Sequence, residues 1–261
     1  MSQEQSQETA TTTTAAPAAP AAPAAPTTTV FDPFKDMKLS SLEPLRTCSR
    51  AKCPKCKKNR FYYCYDCEVP LTATMPRVTL PLKADIIHHP AEHRSKSTSV
   101  HGAMLAPEWV RVVEYPDSID PAAMDPETTV LLFPSKDSVN VCDLSAERLE
   151  KIQRVVLIDS QWQKTGGMLR NELIRRLPCV KISAAKTAFW RYQSHGADHL
   201  ATVEALYWFM REYHEAKLKR KYAGEFDDLL WYFANTFYLI QDYYKAHPEK
   251  TFNHIDGYIH Y

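Results

Sequence analysis

The rhythm of apolar and polar positions divides this chain into stretches of different kinds. Residues 1–30 have no rhythm: Ser, Gln, Glu, Thr, Ala and Pro, with AAP repeated from Ala15 to Pro26, offer nothing to bury and stiffen toward polyproline II, which predicts a disordered tail over about the first 35 residues. From Arg77 to Pro90, RVTLPLKADIIHHP predicts one or two extended segments, and WVRVVEY from Trp109 to Tyr115 predicts a strand. Between them a Ser/Thr cluster, Ser97 to Ser99, precedes a short helical pattern and serves as its start, an end whose free N–H groups suit an anion.

The second half is more regular. TTVLLFPS, Thr128 to Ser135, is a continuous apolar strand ending at Pro134, and SAERLEKIQ, Ser145 to Gln153, is a helix with Ser145 and Arg148 in the first and fourth places of a capping box. VVLID, Val155 to Asp159, is the next strand; TGGMLRNELIRRLP, Thr165 to Pro178, is a helix closed by its proline; CVKIS, Cys179 to Ser183, is a further strand. Strands apolar on both faces, alternating with helices, predict a parallel α/β sheet. Two long helices follow, one with the stripe Leu200, Val203, Tyr207, Met210 and His214, the other with Phe226, Leu230, Phe233, Phe237, Ile240 and Tyr244; both stripes read as packing faces. The basic run Lys217 to Lys221 between them is either a solvated helix end or an added nucleic-acid contact.

In parallel α/β sheets ligands bind beyond the carboxyl ends of the strands, where Pro134, Asp159 and Ser183 lie. From position alone, Asp159 is either a helix N-cap or a working carboxylate, and Trp162 either a lid over the core or a stacking platform.

Bulk composition adds little. The 32 Lys and Arg against 31 Asp and Glu give a net charge of +1, which neither demands nor excludes a polyanionic partner. The tail carries Glu4 and Glu8 and no Arg, which argues against a mitochondrial presequence, and lacks the apolar core of a secretory signal. The run Leu229 to Ile240 is interrupted by Asn235 and Thr236 and is too short for a bilayer, so an intracellular protein of the nucleus or cytoplasm is expected, with no membrane partner and its seven cysteines reduced.

Four of those cysteines change the picture. In CPKCKKNRFYYCYDC, Cys53, Cys56, Cys64 and Cys67 form two CxxC pairs, and two such turns complete a tetrahedral sulfur site for zinc. Four protein ligands leave no open position, which makes the zinc structural. Arg46, Arg50, Lys52, Lys55, Lys57, Lys58 and Arg60 surround the pairs without an intervening acid, beside the aromatic run Phe61, Tyr62 and Tyr63. That density suits a phosphate-contacting surface with stacking side chains, or else a solvated face around the metal. Cys48 is a spare thiol or an alternative ligand; Cys142 and Cys179 read as small core residues.

Several separated stretches in order resemble one family. DSQW, Asp159 to Trp162, is similar to the DxTW signature of DTW-domain proteins. It stands with the four-cysteine knuckle, HHPAEHRSKST (His88 to Thr98), TAFWRYQ (Thr187 to Gln193) and HLATVEALYWF (His199 to Phe209) in the order of the eukaryotic tRNA-uridine aminocarboxypropyltransferases. The resemblance implies transfer of the 3-amino-3-carboxypropyl group of S-adenosylmethionine to N3 of a uridine in tRNA, in the D-arm, with release of methylthioadenosine. It also implies a SPOUT-like, knotted parallel sheet. On the same basis, Asp159 and Trp162 are expected as catalytic residues, and Leu131, Phe133, Pro134, Ser160, Arg191, Thr202 and Glu204 around the cofactor. If Asp159 takes the N3 proton, its pocket should raise its pKa; the other role for it is to orient uracil or cofactor. Gln161 stands where the family has threonine.

The expected organisation is a tail over 1–35, a zinc knuckle over 46–70 and a catalytic α/β domain with C-terminal helices over 71–261. Two competing readings are an RNA methyltransferase of the SPOUT kind and a non-catalytic RNA-binding protein. The oligomeric state is open between a dimer through the knot region and a monomer in which the terminal helices cover that surface.

Overall fold

Local chemistry sets the first elements. A computed structural model describes residues 32–183, 185–190, 199–250 and 259, and residues 32–261 form one unit. After helix α1 (Glu43–Arg46) come two antiparallel hairpins, β1 (Ala51–Lys52) with β2 (Asn59–Arg60) and β3 (Tyr63–Cys64) with β4 (Val69–Pro70). Each hairpin carries one left-handed residue just after a CxxC pair, Lys57 at φ 61° and Glu68 at φ 52°. These turns fold the sulfurs toward each other.

The apolar runs become β5 (Lys83–His88), β6 (Val110–Glu114), β7 (Thr129–Leu132), β8 (Val139–Asn140), β9 (Arg154–Asp159) and β10 (Cys179–Lys181). They form one six-stranded sheet in the order β6-β5-β9-β7-β10-β8, every pairing parallel. The parallel α/β sheet expected from sequence is present. Both faces are covered, as the continuous apolar runs require. Ala84, Ile86, Val155 and Leu157 point to a large core with α2 (Ser99–Leu105), α3 (Ala146–Lys151), α6 (Thr202–Leu218) and α7 (Trp231–Ala246). Ile87, Leu131 and Val156 point the other way, to a smaller core with Met168, Ile174 and Leu177.

Two elements differ from expectation. The segment Thr165 to Pro178 is not one helix: α4 (Trp162–Met168) starts three residues before Thr165, and α5 (Glu172–Arg175) restarts after a turn in which the Asn171 side chain accepts from the Leu173 N–H at 3.0 Å. Asparagine prefers such capping geometry to a helix interior, and two glycines beforehand weaken continuity. The short edge strand β8 carries no apolar alternation and leaves no signature. Ser145, by contrast, caps α3, accepting from the Arg148 N–H at 3.1 Å.

The N-terminal segment is stapled to the start of α7. Lys38 N–H donates to Asp227, the Ser40 N–H and hydroxyl to Asp228, and the Trp231 indole to the Ser41 carbonyl, at 2.6–3.0 Å. No helix among the described residues is long and apolar enough to cross a membrane.

Candidate active site

Parallel register places Asp159, the last residue of β9, beside His88, the last residue of β5. The Asp159 carboxylate is buried and accepts three side-chain hydrogen bonds: from His88 Nδ1 at 2.7 Å, Ser97 Oγ at 2.6 Å and Thr202 Oγ1 at 2.8 Å. The opposite ring nitrogen of His88, Nε2, lies 3.1 Å from the Glu92 carbonyl oxygen. Beside an ionised Asp159 both ring nitrogens face acceptors, an arrangement that an imidazolium satisfies in full. Burial alone would lower the His88 pKa, but the carboxylate beside it raises it. Burial likewise would push Asp159 up; His88 and the two hydroxyls outweigh it and hold the carboxyl below the usual range. The upward shift expected of a proton-accepting Asp159 is not found, and the carboxylate is built as half of a buried ion pair.

The start of α6 is held from outside the helix. Its N-cap, Ala201, has no side-chain oxygen, and Thr98 Oγ1 supplies the missing acceptor to the Val203 N–H at 3.2 Å. Glu204 reaches back to the Ala201 N–H at 2.8 Å and also accepts from Thr187 Oγ1 at 2.6 Å and the Ala188 N–H at 2.8 Å. Burial pushes its carboxyl up to about 7 against these donors. Glu204 thus ties the segment before residue 190 to α6.

Above these groups, at the carboxyl ends of β7, β9 and β10, opens a cavity of about 370 Å³. Its apolar wall includes Leu132, Leu157, Ile158, Ile182, Leu200 and Ala205. Ser160, Thr165, Lys181, Ser183, His199 and Thr202 supply polar groups. At the mouth the Trp162 ring is 39% exposed, 6.3 Å from Phe133 and edge-on to His199 at 4.8 Å. Lys181 makes no ion pair with a described residue.

Among the residues expected around a cofactor, Phe133, Pro134, Ser160 and Thr202 line this cavity, as does Trp162. Leu131 does not: alternation along β7 turns it into the opposite core and gives its neighbour Leu132 to the cavity. Glu204 sits behind the wall and Asp159 beneath Thr202; Arg191 lies outside the described residues. Sequence reasoning missed His88 and Thr98 as site-building residues, and Lys181 and His199 as lining ones. The signal for His88 was its place at a strand end two residues before a proline, but its partner was invisible without the register.

The knuckle brings the sulfur atoms of Cys53, Cys56, Cys64 and Cys67 within 4.8 Å of one another, with Cys56 and Cys64 at 3.6 Å. Four sulfurs around one tetrahedral zinc stand about 3.8 Å apart, so this set fits a metal ion. Of the surrounding cations, Arg60 donates to Asp66 at 2.7 Å and lies 4.2 Å over the Tyr65 ring, and Lys58 pairs with the same carboxylate. Lys57 Nζ donates to the Pro54 carbonyl at 2.7 Å. Arg46, Arg50, Lys52 and Lys55 are exposed and unpaired among the described residues. Tyr62 and Tyr63 are not free to stack on a base: Tyr62 accepts from Asn235 at 3.3 Å, Tyr63 shares a 2.8 Å hydrogen bond with His101, and its ring meets Tyr232 at 4.9 Å. Phe61 alone of the three is exposed.

The site is thus a buried Asp-His pair in a parallel sheet, under a strand-end cavity, with DSQW opening helix α4. The chain belongs to the DTW domain family, which matches residues 61–240. It is 35% identical to the Xenopus tropicalis protein named tRNA-uridine aminocarboxypropyltransferase 1, covering 75% of this chain and 81% of that one. The Mus musculus and Homo sapiens proteins of that name are 34% and 33% identical, each covering 74% of this chain and 77% of the relative. Among solved structures, the SAM-dependent rRNA:acp-transferase Tsr3 from Vulcanisaeta distributa overlaps with a TM-score of 0.36 and 19% identity, over 60% of this chain and 83% of that one.

Proposed function

We propose that this chain is a tRNA-uridine aminocarboxypropyltransferase that moves the 3-amino-3-carboxypropyl group of S-adenosylmethionine to N3 of a uridine in the tRNA D-arm. One observation carries the reading: residues from three of the family-like stretches, His88 and Ser97, Asp159, and Thr202, converge on a single carboxylate beneath the cavity. S-adenosylmethionine supplies a sulfonium that activates the propyl carbon; an N–C bond forms, the C–S bond breaks, methylthioadenosine leaves, and the N3 proton passes to solvent water. The chain's own residues bind and orient. The cavity is of small-ligand size and its apolar wall suits an adenine ring. Lys181 and the motif residue Arg191 are the cations for the donor's carboxylate. Trp162 and Phe133 flank the mouth, where a flipped uracil stacks.

Asp159 in this reading is an organising group. Its negative charge fixes His88, Ser97 and Thr202 and thereby the carbonyl ends of β5 and β9 and the start of α6. Its depressed pKa makes it a poor acceptor for the N3 proton. The four thiolates hold a structural zinc, and the exposed Arg46, Arg50, Lys52 and Lys55 contact tRNA phosphates. A knotted SPOUT-like threading belongs to the same proposal and is supported by the all-parallel sheet in which β10 lies between β7 and β8.

The test incubates purified protein with S-adenosylmethionine and tRNA from cells lacking the activity, then weighs the digested nucleosides, with Asp159→Ala in parallel. Aminocarboxypropyluridine made by the wild type and lost in the variant is the expected result. A methylated nucleoside would replace the reading with a methyltransferase, and bound tRNA without any new mass would replace it with a non-catalytic binding protein.

A further inference from the structure

We infer that Arg94 is a positioning residue that clamps the Asp159 cluster to the four-cysteine knuckle, so that metal in the knuckle holds the catalytic loop in register. The loop in question, residues 89–98, supplies both the Glu92 carbonyl that meets His88 Nε2 and the Ser97 hydroxyl that meets Asp159. Arg94 lies between these two contact points. Its guanidinium donates to Glu68 Oε1 at 3.0 Å through Nη1 and to Glu114 Oε1 through Nε at 2.9 Å and through Nη2. Glu114 ends β6, directly beside His88 in the sheet. Glu68 follows the metal-ligating Cys67. One planar cation therefore joins the knuckle, the loop and the sheet end, a geometry that a lysine's single ammonium does not reproduce.

The backbone of Glu68 supports the inference independently. It stands at φ 52°, in the left-handed region that favours glycine, and its side chain is what Arg94 uses. A second strut runs alongside: Tyr63, just before ligand Cys64, bonds His101 in α2, the helix that follows the loop. Among the ordered backbone bonds of the loop are Lys96 N–H and Ser97 N–H to the His93 carbonyl at 2.8 and 3.2 Å, which give a direct readout.

The inference concerns the proposed active site and rests on that reading only for turnover. The experiment uses the full zinc-loaded chain as wild type, Arg94→Met, Arg94→Lys, Glu68→Gly and Glu68→Gln, and measures bound zinc, amide exchange at Lys96 and Ser97, and kcat and KM. All variants are expected to keep their zinc. Exchange at the two amides should rise about tenfold in Arg94→Met and in Glu68→Gly, although glycine relaxes the Glu68 backbone, and kcat should fall about tenfold. Arg94→Lys should recover only part of either loss. Stripping zinc should raise the same amides about tenfold in the wild type and at most about twofold in Arg94→Met. Unchanged loop exchange while zinc removal opens the knuckle amides, or wild-type exchange in Glu68→Gly, would overturn the clamp. If Arg94→Met does not fold, the two Glu68 variants decide alone. Metal-dependent exchange without any nucleoside product would sustain the clamp and reject the proposed reaction.

Discussion

Asp159→Asn tests whether the buried pair is ionic. In the wild type, Oδ2 accepts from His88 and Ser97 and Oδ1 from Thr202. Asparagine keeps an oxygen at the first position, and the Thr202 hydroxyl turns to accept from the new amide. Shape and hydrogen bonds survive; the charge does not. Removing one partner of a buried pair costs about 3–5 kcal/mol, and because His88 sheds its proton in response the lower end, about 3 kcal/mol, is expected. With a urea slope of about 3 kcal/mol per molar, the unfolding midpoint falls by about 1 M. The pH dependence is the sharper readout. His88 is raised above its unfolded value of about 6.5, so in the wild type its stabilisation is complete below about pH 6.5 and is lost as pH rises through the folded value. In the variant the Asp159 charge is gone and burial, the largest effect on His88, outweighs the weaker pull of Glu114 and depresses it, so its contribution now improves as pH rises toward about 6.5. Urea denaturation across pH 5–8, taken as the difference between variant and wild type, cancels the other titrations. A difference that does not change with pH would refute the imidazolium assignment.

Three further outcomes follow from the same geometry. Glu204, raised to about 7 by burial, contributes stability that is present below the unfolded carboxyl value and is lost as pH rises through about 7; Glu204→Gln should lack that loss, read from melting temperatures across pH 4.5–8. Trp162→Ala, at an exposed ring, should leave the fold within about 1 kcal/mol of wild type while raising KM for tRNA about 5- to 150-fold through lost base stacking, measured by steady-state nucleoside formation. Gln161 is the N-cap of α4 and makes no side-chain capping bond, so Gln161→Thr should add about 1 kcal/mol and raise the melting temperature about 2–4 °C, checked by calorimetry.

The sheet was legible because apolar runs such as VVLID and TTVLLF must be buried on both faces, and parallel strands are the fold that does so. The knuckle was legible because paired cysteines have few other uses at that spacing. The break between α4 and α5 was not, since the apolar rhythm from Met168 to Leu177 continues across it and only the Asn171 cap announces the restart. At the site, one-residue choices escaped the sequence: Leu131 and Leu132 differ only in which face the pleat assigns them. Asp159 was legible as a strand-end carboxylate, but its charge partner sits 71 positions earlier and is set by register. Glu204 was legible as a first-turn acid, yet its direction, away from the cavity and toward Thr187, is a tertiary fact.

The knuckle leans on a helix made long after it. Tyr62 and Tyr63 pack against Tyr232, and Tyr62 bonds Asn235, 173 residues later in the chain. At about 5–20 residues per second of synthesis, that separation is about 10–35 s. The four thiols therefore leave the ribosome, and are open to metal capture or to oxidation, well before α7 exists to brace them. The four-sulfur set that fits a metal ion is thus complete in the growing chain long before its brace is made.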